Sequence, residues 1–382
     1  MKSLRAAVVG TGFIGPVHVE ALKRAGVEVA GMVGSTLEKS RIASERHGLP
    51  VVFESFDEVL NDPSIDAVHL TTPNVLHYQQ AKAVLAAGKH CLCEKPLAIS
   101  STESAELVRL AEDSGLAAGV AYNIRFYPLC YEAAARIRAG TIGDLLHVTG
   151  SYVQDWLLYD TDFNWRVLAE EGGELRAVAD IGTHWLDLIQ FITGKHVRSV
   201  CADLRTVYSE RYRPAGGVET FSNRQPNKAD LQCVAIDTED CGSIMLRFED
   251  GSNGCLWVSQ VTAGKKNCLR FEIAGSKGSL EWNSESPNQI WIGHRSQPNE
   301  LLVRDPSLLD ASASEISNYP GGHNEGFPDT FKQLFSQFYA YIARGEFKAP
   351  APFPTFADGH REIQLCEAIL ASHRQRQWID VI

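Results

Sequence analysis

The sequence has no apolar run long enough to cross a bilayer. It also has no excess of positive charge. Its 382 residues carry a formal net charge of −11, whereas a nucleic-acid partner favours a basic face. Nor does it have paired cysteines: the nine are an odd number, scattered, with no Cys-x-x-Cys. That argues against a disulfide framework and a zinc site. Cys91 and Cys93 share one face of an apparent strand and read as buried, reduced thiols. Met1–Arg5 resembles the basic start of a signal peptide, but Ala6–Gly10 is too short for its hydrophobic region. The expectation is a cytoplasmic protein with no membrane, nucleic-acid or metal partner.

What is present is ordinary globular composition, 44% hydrophobic and 22% charged, at a length that suggests two domains. Up to about Ala121, short apolar strands alternate with helical segments. Strands are expected at Ala6–Gly10, Glu28–Val33, Val51–Phe53, Ala67–Thr71, His90–Glu94 and Ala117–Ala121. This alternation predicts an α/β fold with a parallel, doubly wound sheet. Beyond the helix Leu129–Ala139, strands dominate: Leu145–Asp155, Val197–Val207, Asp230–Asp237, Gly242–Phe248, Gly254–Val261, Leu269–Ala274 and Gly278–Trp282. Tight turns between them predict a large, mainly antiparallel sheet in an α+β domain. Glu210–Asn227 reads as a long polar loop. Helices Phe327–Ala343 and Gly359–Arg374 close the chain. The expected domains are residues 1–125 and 126–382, with the terminal helix packing back on the first.

Gly10-Thr11-Gly12-Phe13-Ile14-Gly15 follows the first strand and opens a helix. The first glycine permits the turn, the second lets backbone approach a pyrophosphate, and the third lets helix and strand pack closely. In a strand-turn-helix unit ahead of further βα units, the pattern predicts a dinucleotide site. An acidic residue after the second strand would favour NAD. Here Gly34-Ser35-Thr36 stands there, with Lys39 close behind. Ser35, Thr36 and Lys39 either hold a 2′-phosphate, favouring NADP slightly over NAD, or form an ordinary helix start. Thr71-Thr72-Pro73-Asn74 ends a strand at the same edge and is expected to line the cofactor.

Glu94-Lys95-Pro96 follows the strand core His90–Cys93. Lys95 at a strand's carboxyl end can stabilise an alkoxide or lower a hydroxyl pKa. Asp180-Ile181-Gly182-Thr183-His184 puts an acid and an imidazole four apart, on one face of a helix. The pair reads either as a general-base constellation, with His184 taking a hydroxyl proton, or as a cap and a core histidine.

Taken in order, Gly10–Gly15, Thr72-Pro73-Asn74 with His77, Glu94-Lys95-Pro96, Tyr122-Asn123-x-Arg125-Phe126 and Asp180-x-Gly182-x-His184 resemble the Gfo/Idh/MocA family of sugar and inositol oxidoreductases. The resemblance covers essentially the whole chain. It implies a Rossmann domain and a C-terminal sheet used for homo-oligomer contacts, as dimer or tetramer. It also implies Lys95, Asp180 and His184 as catalytic residues. The implied reaction moves hydride from a secondary alcohol of a sugar, sugar derivative or polyol to the nicotinamide of NAD(P). His77, Glu94 and Asn123 are implied on the cofactor side, Tyr122 and Arg125 on the substrate side.

Tyr152-Val153-Gln154-Asp155-Trp156 and Asn164-Trp165-Arg166 look like a segment of levoglucosan-dehydrogenase-like members, which implies that Gln154, Trp156, Trp165 and Arg166 line the substrate and nicotinamide pocket. An indole offers an apolar face to a sugar ring, while Gln and Arg bond its hydroxyls. Between Gly173 and Asp180 the chain is longer than the family's usual spacing. Arg176 is expected to enter the pocket and suit an acidic or phosphorylated substrate. His323, in the polar loop Pro320–Gly326, is expected either to cover the substrate or to sit in a solvated connector. Two other functions fit the same pieces: a cofactor-retaining enzyme that oxidises transiently and then hydrolyses or isomerises glycosides, and a non-catalytic NAD(P) or sugar sensor.

Overall fold

Five short runs of almost wholly apolar sequence form a parallel sheet whose strands are buried on both faces, the pattern expected where helices cover both sides. The computed structural model describes residues 4–214 and 231–382. Its first compact unit comprises Met1–Phe126 with Phe327–Ile363. In chain order it holds β1 (Arg5–Val9), α1 (Ile14–Arg24), β2 (Glu28–Val33), α2 (Leu37–Arg46) and α3 (Phe56–Asn61). Then follow β3 (Ala67–Leu70), α4 (Asn74–Ala86), β4 (His90–Cys93), α5 (Ser101–Ser114) and β5 (Ala118–Val120). The strand order is β2-β1-β3-β4-β5, and every pairing is parallel. The hydroxyls of Thr36, Ser55 and Ser100 cap α2, α3 and α5 by accepting backbone amides. The expected strand Val51–Phe53 is corrected. It forms no ladder: the Val51 amide donates to the Ala30 carbonyl at 2.9 Å, and Phe53 turns into the core.

The helix Phe327–Arg344 belongs to this unit. Phe331, Leu334, Phe335, Phe338 and Ile342 recur at helical spacing and are all buried. Phe335 meets the His18 and His69 rings edge-on at 4.8 and 4.7 Å between centroids. Arg24 at the end of α1 pairs with Asp329 in the helix's first turn.

The second unit comprises Tyr127–Gly326 with Gln364–Ile382. The helix Phe356–Gln375 is thus divided between the units, and residues 327–363 return to the first. A single boundary at 125/126 does not describe this connectivity.

After α6 (Pro128–Arg138) come β6 (Leu145–Val153), the helix Thr183–Thr193, β7 (Val197–Arg205), β8 (Glu210–Pro214), β9 (Leu231–Ala235) and β10 (Cys241–Phe248). They are followed by β11 (Asn253–Ser259), β12 (Cys268–Gly275), β13 (Ser279–Asn283), β14 (Gln289–Gly293), β15 (Glu300–Val303) and β16 (Ile379–Asp380). Nine of these strands form one sheet, ordered β15-β14-β13-β12-β6-β11-β10-β7-β16. It is antiparallel except where β6 and β11 run parallel. The start of the expected polar loop is corrected: Glu210–Pro214 pairs with β9 as a two-stranded ribbon. Its remainder to Asn227 lies outside the described residues. Among the described residues no helix is long and apolar enough to cross a membrane.

Burial sets a pH dependence. Burial lowers the pKa of His69 well below its ordinary value and that of His90 to about 4. The His90 Nδ1 accepts the Ala117 amide at 3.0 Å, a bond that ring protonation forfeits. Between about pH 6.5 and 4 the unfolded chain takes up protons that the folded chain refuses, so this stability is complete above the window and is lost as pH falls. Each such histidine contributes a slope approaching about 1.4 kcal/mol per pH unit. Thermal melts should show Tm falling from pH 7.5 to 5.5, with a shallower fall in His90→Gln. An unchanged slope in that variant would remove His90 from the account.

Candidate active site

Register brings Val9, Leu70, Cys93 and Val120 level across the parallel sheet. Gly10, Thr71, Glu94 and Ala121 therefore follow one another along its carboxyl edge. The strand order reverses between β1 and β3, the kind of switch point where open α/β sheets bind ligands. Gly10 has φ +118°, and a β-carbon there would overlap the backbone and hydroxyl of Thr71. The Thr71 hydroxyl, shared between the carbonyls of Val9 (2.9 Å) and Gly10 (3.1 Å), buttresses the turn. At Gly12, by contrast, a β-carbon would meet nothing within 4 Å. Phe13 and Ile14 lead into α1, whose start carries no side-chain cap. Open backbone ahead of uncapped amides is what a pyrophosphate requires, so these residues fit the dinucleotide.

After β2, Ser35, Thr36 and Lys39 are exposed, and the Lys39 ammonium donates to the Ser35 hydroxyl at 3.0 Å. Thr72 donates to the Gln80 side-chain carbonyl at 2.6 Å, Pro73 precedes α4, and Asn74 begins it. His77 as a direct cofactor ligand is corrected. It is fully buried, with Nδ1 2.7 Å from the Pro96 carbonyl and Nε2 2.8 Å from that of Thr72. Burial lowers its pKa, so at neutral pH the ring carries one proton and ties one carbonyl. It braces the loop from inside.

Glu94 also points inward. Its carboxylate lies 3.0 Å from His18 Nε2 and accepts the Lys95 amide at 3.3 Å. Lys95 itself is half-buried at the edge. Asn123 is buried and donates to the Thr330 hydroxyl at 2.7 Å. Two substrate assignments in this unit are corrected. Tyr122 is fully buried in the hydrophobic core, and the Arg125 guanidinium is committed to Asp358 at 2.8 Å.

In the second unit, Asp180 and His184 do not share a regular α-helix. Val178–Gly182 is a π-helical turn that passes into the helix Thr183–Thr193. Such turns recur at functional sites. Gln260 donates to Asp180 at 2.8 Å, and Arg166 pairs with it at 3.3 Å. Arg166 also lies over the Trp165 ring, 4.4 Å from its centroid, and donates to Asn164 at 3.2 Å. The Tyr152 ring stands edge-on to His184 at 6.2 Å. The Tyr152 hydroxyl and the Gln154 amide both donate to the Asn267 side-chain carbonyl, at 2.8 and 2.7 Å. Trp156 donates to the Gln154 carbonyl at 2.7 Å.

The proposal that Arg176 enters a substrate pocket is corrected. It is 1% exposed and pairs with Asp240, which also receives Arg211 at 2.6 Å and the Val207 amide at 2.6 Å. Burial alone lifts the Asp240 carboxyl, but Arg176 and Arg211 outweigh it and hold the group below its usual range. Burial pushes neighbouring Glu239 up, against the amides of Val178 and Arg176 that it accepts. His323 is exposed, and its loop is anchored by buried Glu325, which accepts the amides of Asn318 and Tyr319 at 2.8 and 3.1 Å.

Among the residues of these networks that escape the motif reading are His18, His69, Asp240 and Gln260. The one available signal was a histidine in an otherwise apolar stripe, Gly15-His18-Leu22 on α1 and His69 inside Ala67–Leu70.

Two family models match the chain, an oxidoreductase-family NAD-binding Rossmann fold over residues 4–122 and a GFO/IDH/MocA C-terminal domain over residues 131–281. The chain belongs to the Gfo/Idh/MocA oxidoreductase family. A levoglucosan dehydrogenase of Pseudarthrobacter phenanthrenivorans is 28% identical, over 100% of this chain and 99% of that relative. A levoglucosan dehydrogenase solved in complex with NADH and levoglucosan superposes with a TM-score of 0.88 at 27% identity, covering all of both chains. An inositol dehydrogenase homologue from Azotobacter vinelandii, solved with NADH and myo-inositol, shares the fold at 24% identity. Its TM-score is 0.84, over 99% of this chain and 97% of that one. This Gfo/Idh/MocA protein is an NAD(P)-dependent oxidoreductase.

Proposed function

We propose that this protein oxidises a secondary alcohol of a sugar, sugar derivative or polyol, with Lys95, Asp180 and His184 as its catalytic residues. The observation that carries the assignment is the anchoring of Asp180 in a π-helical turn by Gln260 and Arg166, one turn ahead of the 7%-exposed His184. That is a prepositioned acid and imidazole of the kind general acid–base chemistry needs. The bound nicotinamide supplies the hydride acceptor. In the reaction the substrate C–H bond breaks with its electron pair leaving as hydride, the hydroxyl proton passes to His184, and a carbonyl forms. The Lys95 ammonium stabilises the developing alkoxide, and Asp180 orients the imidazole. Trp165 and Arg166 offer a stacking face and hydroxyl donors to a sugar ring. Lys95→Ala and His184→Ala should each lower kcat by about 100-fold or more. The measurement is NAD(P)H formation against a panel of monosaccharides, glycosides, sugar acids and inositols. Normal turnover in both variants would refute the assignment.

On the cofactor, the proposal favours NADP slightly. No carboxylate stands in Gly34-Ser35-Thr36, and the Ser35 hydroxyl and Lys39 ammonium form an exposed pair suited to a 2′-phosphate. Comparing kcat/KM for NADP and NAD decides it, and a strong NAD preference sinks the NADP reading.

The working protein is further proposed to be a cytoplasmic homo-oligomer, dimer or tetramer, assembled through the large sheet. Met245 pairs with Cys255 and Ser243 with Trp257, and Met245, Cys255 and Trp257 are exposed on one face. An apolar patch of this kind marks an interaction surface. Light scattering should give a multiple of the 42.0 kDa chain mass, and Trp257→Glu should shift it toward the single chain. A monomeric wild-type protein would overturn this part.

A further inference from the structure

The first unit buries an unbroken line of polar side chains through its core. Glu94 Oε1 lies 3.0 Å from His18 Nε2, His18 Nδ1 lies 3.0 Å from His69 Nδ1, and His69 Nε2 lies 3.0 Å from the Tyr339 hydroxyl. His18 and His69 are 0% exposed, Tyr339 6% and Glu94 7%. The line crosses four elements: α1, β3, the end of β4 and the helix Phe327–Arg344. Phe331, Phe335 and Phe338 pack round the two imidazoles and close them off from water. No step of the proposed reaction uses these four groups, yet one end of the line is the residue before Lys95.

Buried polar atoms must be satisfied, and each neutral imidazole has one donor and one acceptor. A carboxylate only accepts, so His18 presents Nε2–H to Glu94. With one proton on each ring, His18 Nδ1 accepts and His69 supplies Nδ1–H. Burial holds the His69 pKa well down, so that ring carries one proton, on Nδ1, and its Nε2 accepts the Tyr339 proton. All three bonds run the same way, and each of the four ring nitrogens is used once. A fully connected buried network of this kind fixes geometry more firmly than its separate bonds.

We propose that Glu94, His18, His69 and Tyr339 form a one-directional hydrogen-bond relay that clamps the Glu94 carboxylate and, through the Lys95 amide it accepts, sets the placement of Lys95. His18 is thereby a positioning residue for the dehydrogenase reaction. The second half rests on the proposed catalytic role of Lys95; the relay itself does not.

The test has two arms, both on the full chain with NAD(P)H bound. In the first, nitrogen-15 NMR of histidine-labelled protein at pH 8 reads the tautomers, with His18→Gln and His69→Gln assigning the signals. The expected result is His18 protonated at Nε2 and His69 at Nδ1, both ring protons exchanging slowly. His69 protonated at Nε2, or ring protons that exchange freely, overturns the relay whatever Lys95 does. In the second arm, His18→Leu removes both bonds, while His18→Gln keeps a donor near the place of Nε2. His18→Leu should lower kcat about tenfold or more with cofactor KM within about twofold, since small misplacements of a reacting group cost that much. His18→Gln should recover most of the loss. Wild-type kcat in a folded His18→Leu, or equal losses in the two variants, overturns the positioning role. Should His18→Leu fail to fold, the tautomer arm still decides the relay, and His18→Asn, too short to reach Glu94, takes its place in the kcat comparison with His18→Gln. Lys95→Ala run alongside separates the failures: normal turnover there discards the catalytic lysine and leaves the NMR result standing.

Discussion

One carboxylate organises the neighbourhood of Asp180. Asp240, with a fully buried side chain, receives Arg176, Arg211 and the amides of Val207 and Tyr208. Two guanidinium groups in a dry interior are tolerable only against buried negative charge, since an unpaired buried ion costs several kcal/mol. The terminal nitrogens of Arg211 also donate to the carbonyls of Leu157, Tyr159 and Asp162. The Arg176 carbonyl accepts the Asp180 amide at 2.7 Å, and the Asp240 carbonyl accepts that of Gln260 at 2.9 Å. Gln260 in turn donates to the Asp180 side chain. The segment after β6, the start of the π-helical turn and the strand-end glutamine all hang from the same charge balance. The extra residues between Gly173 and Asp180 therefore serve as a brace and leave the substrate's charge unread.

Legibility in the sequence followed the range of the interactions. The strands of the first sheet announce themselves because both faces are buried, so the runs are apolar throughout. The glycine turn is visible because Gly10 cannot carry a β-carbon beside Thr71. The lysine after β4 and the Asp180–His184 spacing also survive in the folded chain, although the spacing alone reads equally as α-helix or π-turn. Arg176 misled because its partners stand more than sixty residues away and nothing local points to them. Tyr122 and Arg125 misled for the same reason: a motif names a residue, while burial in a core or an ion pair with Asp358 is decided by distant chain. β14 and β15 are not legible because β14 has only five residues and β15 four, mostly exposed. The helix Phe327–Arg344 is readable as a helix, but its membership of the first unit is not, since its partners His18, Arg24, His69 and Asn123 stand more than two hundred residues away.

The discontinuity of the first unit has a consequence for synthesis. The chain leaves this unit after Phe126 and re-enters it at Phe327, so the ribosome makes some two hundred residues before the covering helix exists. At ordinary elongation rates that is a delay on the order of 10–40 s. During it, the inner faces of α1 and β3, with their paired imidazoles and apolar surroundings, lack the aromatic lid supplied by Phe331, Phe335 and Tyr339. The nascent N-terminal segment must wait as an incomplete domain, open to chaperones and to mispairing. A fragment ending at residue 126 would stay in that condition permanently.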